Sequence, residues 1–206
     1  SSLSDYIGRK NTYHVFFVVG MMLYVSIPFL ATQASINPAV TWLVMFYAVT
    51  MLIFTMYGGG FATIPAYLAD IFGTMHVGGI HGRLLTAWST AGILGPFVIT
   101  HLRQNSLESA INSLAQKVDP VAFQAKFGAG ISHLQELVIA KTVSISQLME
   151  IAPAGTIDPT PTLYNSTMYT MAGLLFIAFL ANLTIRKVDS KHHVHNSHPE
   201  HAKPDL

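Results

Sequence analysis

The charged side chains of this 206-residue chain are sparse and gathered in a few places. Lysine and arginine number 11, aspartate and glutamate 10. Asp5 and Arg9 stand four residues apart, the spacing of an ion pair on one helix face. Asp70 and Arg83 are the only charges between Lys10 and Arg103. Such residues can stop apolar segments or tie their ends together. Catalytic chemistry finds less material. No nucleophile–base pair or metal-ligand spacing stands out, and the glycine run GGGFAT at 58–63 lacks the GK[ST] of a phosphate loop. The absence of cysteine removes disulfides and thiolate metal sites. His14, His76, His81, His101 and His133 are scattered. His192, His193, His195, His198 and His201 crowd the polar tail, without carboxylates or thiols to fix a metal geometry. The expectation is therefore no enzyme, no metal and no cofactor. A net charge of +1 gives no basic excess for nucleic acid.

The elements that must carry these residues are membrane spans. Hydrophobic residues make up 51% of the chain and charged ones 10%, with a mean hydropathy of +0.45; ordinary soluble domains are about 25% charged. Residues 11–69 contain no Asp, Glu, Lys or Arg. As one helix they would extend roughly 88 Å at about 1.5 Å per residue, nearly three times a hydrocarbon core of about 30 Å. The run must fold back, and the polar stretch Thr32–Thr41, with Pro38 restricting Asn37, is the natural break. Spans are expected at about 12–31, 41–68, 84–102 and 164–185, the third kinked at Pro96 after Gly95. Tyr13, Trp42, Tyr164 and Tyr169 near span ends fit an interfacial belt, as would residues that pack helices. Triple glycine at Gly58–Gly60 costs roughly 1 kcal/mol per residue against Ala in a soluble helix, so a bend or close helix approach should use it.

Lysine and arginine in the short loops orient the chain. Arg9, Lys10, Arg83, Arg186, Lys187, Lys191 and Lys203 fall on one side, which predicts that 1–11, 70–83 and the His-rich tail 186–206 are cytoplasmic. The segment 103–163 lies opposite. Leu107, Ile111 and Leu114 on one helical face, and Leu134, Leu137 and Val138 on another, predict a small extracytoplasmic helical insert ending in the proline-rich turn IAPAGTIDPTPT. The opening SSLSDYIGRK has no methionine or signal peptide, which suggests a piece of a longer protein.

In that opening, Leu3, Asp5, Gly8, Arg9 and Lys10 resemble the cytoplasmic loop signature G-x-L-x-D-R-x-G-R-K of the major facilitator superfamily. Ser1 replaces the first glycine and Tyr6 the first arginine, as is more typical of the second copy of that motif. The stretch AYLADIFG through HGRLLTAWSTAGILGP is similar to the tenth-to-eleventh helix region of the oxalate/formate antiporter branch. The resemblance implies an all-α membrane protein whose four spans are helices nine to twelve, part of the second six-helix half, in a bacterial inner membrane. It also implies a conformational charge cluster of Asp5, Arg9 and Asp70, with Arg83 near it. The substrate path would then involve Thr55, Tyr57, Gly58, Gly59 and Gly60 on one helix and Trp88, Ser89 and Thr90 on the next. Pro65, Gly92, Gly95 and Pro96 would bend those helices. On this reading Gly59→Leu and Gly95→Leu abolish transport while leaving membrane insertion intact, and the same change at Gly20 or Gly173, in the supposed peripheral spans, is milder.

The function implied is secondary transport of a small organic solute by alternating access, with the lipid bilayer and the remaining transporter helices as partners. The oxalate carrier of this branch has a lysine in its eleventh helix, and alignment through the TA dipeptide puts Trp88 there. A dianion would lose a buried cationic partner, so a monocarboxylate or an uncharged solute is favoured over oxalate. The alternative is a non-transporting four-helix membrane subunit or scaffold.

Overall fold

The computed structural model describes residues 2–188. Among them the regular structure is helical, with no strand: α1 Ser2–Ile7, α2 Arg9–Ile36, α3 Val40–Phe72, α4 Val77–Ala115, α5 Pro120–Phe127, α6 Leu134–Ile139, α7 Ile145–Ile151 and α8 Asn165–Thr184, with short 3₁₀ turns at Ile131–His133 and Thr160–Thr162. Four helical stretches are long and apolar enough to cross a membrane: α2, α3, α4, and Thr160–Thr184 containing α8. The chain is thus an all-helical protein with the build of a multi-pass membrane protein.

Local chemistry sets most boundaries. Gly8 separates α1 from α2 with φ 83°, a left-handed backbone that favours glycine. Helix α2 runs to Ile36, past the expected limit of 31. Thr32 and Ser35 donate their hydroxyls to the carbonyls of Pro28 and Thr32, so this polar segment stays helical. The turn is only residues 37–39, because Asn37 precedes Pro38 and is extended. Gly73, at φ 80°, stops α3 and its N–H closes onto the Ala69 carbonyl at 2.9 Å.

The largest departure from expectation is α4. The expected hinge 70–83 shrinks to Gly73–His76, and the expected third span, 84–102, is the middle of a 39-residue helix, about 58 Å long at about 1.5 Å per residue. Arg83 and Arg103 end an apolar run without ending a helix, since arginine is a strong helix former. Helix α3 continues through Gly58–Gly60 and Pro65, and α4 through Gly92, Gly95 and Pro96. The expected helix-bending residues therefore interrupt neither helix.

The far half of α4 is the foundation of the helical segment 103–163. Ile111, Leu114 and Ala115 pack with Phe123, Leu134, Val138, Val143, Ile145, Leu148 and Leu163 into a buried cluster, and Leu107 and Leu137 lean against it. The two apolar faces expected from periodicity thus meet in one core. Asp119 accepts the Ala122 N–H at the start of α5, and Ser144 with Gln147 forms a capping box on α7. Arg103 sits 5.6 Å above the Tyr164 ring and Ser106 meets Ser166 at 3.0 Å, holding α4 to the start of α8. Within the spans, α2 packs along both α3 and α8, whereas α4 touches α3 and α8 sparsely.

Candidate functional site

Helix ends converge where α2 begins, α3 ends and α8 ends. Arg9 Nη1 donates to Asp70 Oδ2 at 2.7 Å, and Nη2 to Asp5 Oδ1 at 3.0 Å. The structure therefore brings Asp5, Arg9 and Asp70 together. Arg83 does not join them. It is exposed on the first turns of α4 and has no ion pair among the described residues, because α4 restarts beyond Gly73–His76 and leaves the α2–α3–α8 packing.

Beside this cluster lies a polar network. Lys10 Nζ donates to the Ile185 carbonyl at 2.7 Å and the Leu183 carbonyl at 3.1 Å, placing a cation where the last carbonyls of α8 lack helical partners. Buried Asn182 accepts from the Tyr67 hydroxyl at 2.8 Å and donates to the Lys10 carbonyl at 3.3 Å. Tyr67 stacks on Tyr13 with centroids 5.1 Å apart. The Tyr13 hydroxyl donates to the Gly60 carbonyl at 2.6 Å, and Thr63 Oγ1 lies 3.2 Å from it. Tyr13 is thus a packing residue inside the bundle. An asparagine in an otherwise apolar last span, and a lysine beside the motif arginine, were the only signals of this network in the sequence.

The candidate path residues divide. Thr55, Ser89 and Thr90 bond back to carbonyls four residues earlier on their own helices, at 2.9, 3.1 and 2.8 Å. Tyr57 and Trp88 are linked through Phe61, at centroid distances of 5.8 and 5.5 Å, an aromatic seam between α3 and α4. Phe61 was not among the expected residues. A cavity of about 260 Å³ between α2, α3 and α8 is lined by Tyr13, Phe16, Tyr57, Gly60 and Phe61, with Gly20 and Leu175 at its back. Its walls carry no charged group.

The glycines differ in the room around them. A Cβ on Gly59 would meet Phe16 at 3.3 Å and one on Gly60 would meet it at 4.0 Å, so α2 approaches α3 there. Gly58, Gly92, Gly95 and Gly173 face open space. The tightest approach is at Gly20, where a Cβ would lie 3.0 Å from Leu175 Cδ1. Helix α2 packs along α8, whereas α4 touches α3 and α8 sparsely, and so Gly20 is confined while Gly92 and Gly95 are not.

The tail histidines His192, His193, His195, His198 and His201, with Lys191, Lys203 and Ser1, lie outside the described residues. No protein-family model, curated protein or solved structure matches the chain.

Proposed function

We propose that this chain forms helices nine to twelve of a major facilitator transporter that moves a small organic solute, a monocarboxylate in preference to oxalate, by alternating access. The observation that carries the reading is the Asp5–Arg9–Asp70 cluster. It joins the loop that resembles the family signature to the end of the helix after next, and an ion-pair joint at helix ends can hold one access state and release in another. The aromatic seam Tyr57–Phe61–Trp88 and the uncharged cavity beside it give the solute side of the reading. No cation in that cavity could compensate a buried dianion. The open face of α4, with Ile93 76% and Phe97 72% exposed, supports other helices of the same transporter as its partners. On this reading the protein sits in a bacterial inner membrane, both ends of this chain are cytoplasmic, and it catalyses no chemical reaction.

The test is uptake by the whole protein that carries this chain, reconstituted in proteoliposomes and supplied with labelled formate, acetate, lactate or oxalate. Gradient-driven uptake of a monocarboxylate, weakened by Arg9→Gln and by Trp88→Ala, is expected. Flux no greater than in protein-free liposomes for every solute would sink transport and leave the four-helix scaffold.

A further inference from the structure

The end of the bundle that holds Arg9 also contains a second cavity, of about 170 Å³, lined by Gly8, Arg9, Lys10, Asp70 and Lys187 among others. Three cations face one carboxylate there. Their donors are only partly used. Lys10 spends two of its three N–H groups on α8 carbonyls. Arg9 Nε is buried with no hydrogen-bond partner among the described residues. Lys187, and Arg186 beside it, are exposed and have no ion pair among the described residues.

The cavity opens beside an apolar groove of about 440 Å³ that shares Tyr67, Ile71 and Ile185 with it. Phe17, Leu68, Phe72, Leu84, Ala178 and Ala181 line the groove, with Arg186 at its rim. A polar, cationic head and an apolar trough thus adjoin at one end of membrane-length helices. A free phosphate would use only the head, whereas a phospholipid uses both.

We propose that this end of α2, α3 and α8 binds an anionic phospholipid, its phosphate among Lys187, Lys10 and Arg9 and one acyl chain along the groove. Cationic pockets at span ends attract anionic headgroups, and the adjacent apolar trough is the element that selects a lipid over a soluble anion. The bound phosphate would bridge the segment that follows α8 to the first turn of α2. Lipid composition then becomes a control on the same joint that Arg9 and Asp70 form. The proposal stands apart from transport, because it requires only that these helices span a bilayer.

The experiment uses the detergent-purified protein that carries this chain, with native mass spectrometry counting retained lipids. Dioleoyl phosphatidylglycerol should be retained at one site, dioleoyl phosphatidylcholine should not, and high salt should weaken the retention. Arg186→Gln/Lys187→Gln should lower phosphatidylglycerol affinity about fivefold per cation removed. These side chains are exposed and have no ion pair among the described residues, so an unchanged melting temperature is expected. Ala181→Trp, which fills the trough, should weaken lipid retention in a variant whose helical circular dichroism is normal. Equal retention of both lipids, or no effect of the double substitution, would overturn the proposal. Full displacement by millimolar inorganic phosphate, with Ala181→Trp silent, would assign the pocket to a soluble anion instead.

Discussion

Arg9 tests the joint most directly, because one guanidinium serves two carboxylates of different exposure. The Arg9–Asp5 pair spans the break at Gly8 and its aspartate is 56% exposed; exposed pairs contribute about 0.2–1 kcal/mol. In the Arg9–Asp70 pair the side chains are 26% and 37% exposed, intermediate between surface pairs and fully buried ones, which cost about 3–5 kcal/mol to break. Asp70 retains enough water to screen the charge, so the coupling should be about 1 kcal/mol, a roughly fivefold change in a local opening equilibrium. Hydrogen exchange at the end of α3 reads that opening, since the Gly73 N–H closes the helix and the Val188 N–H bonds to Ile71. Arg9→Gln and Asp70→Asn should each raise exchange there about fivefold, and the double variant should exceed neither by much. Asp5→Asn should have a smaller effect that disappears in the Arg9→Gln background. Moving from about 0.1 to 1 M salt shortens the screening length from about 10 to 3 Å and should shrink the coupling without removing it, because the partners touch. Additive effects of Arg9→Gln and Asp70→Asn, or an equal coupling of Asp70→Asn with Arg83→Gln, would refute the reasoning.

Gly20→Leu should destabilise the bundle by about 1–3 kcal/mol through overpacking against Leu175, whereas Gly95→Leu should leave melting nearly unchanged in the isolated chain. Thermal unfolding in detergent checks this, and a more stable Gly20→Leu variant would contradict the α2–α8 approach. Phe123→Ala removes a fully buried ring from the core of segment 103–163 and should cost about 3–5 kcal/mol, read as faster proteolysis within 116–163 while α2, α3 and α8 remain protected. Asn37→Cys and Gln135→Cys should react with an impermeant thiol reagent from outside intact cells and Thr74→Cys should not, against a chain with no native thiol. Labelling of Thr74→Cys under those conditions would reverse the orientation.

Much of this architecture is a one-dimensional property. Counting spans needs only the lengths of charge-free runs against membrane thickness, and the turn at Asn37 follows from the proline after it. The breaks at Gly8 and Gly73 were not legible in the same way, since Gly58–Gly60, Gly92 and Gly95 stay helical. The length of α4 was hidden too, since Arg83 and Arg103 mark the edge of an apolar run while favouring the helix that crosses it. Asp5 and Arg9 were legible as a pair from their four-residue spacing, although Gly8 breaks the helix between them. Asp70 lies 61 residues from Arg9 and entered only through the family signature. Lys10 shows the limit most clearly. Its partners are the carbonyls of Leu183 and Ile185, and a carbonyl leaves no mark in a sequence. Which glycine is confined was equally a matter of packing. Glycine permits close approach at Gly20, Gly59 and Gly95 alike, but only the neighbour on the facing helix decides whether the space is used: Leu175 and Phe16 fill it at the first two, and nothing does at the third.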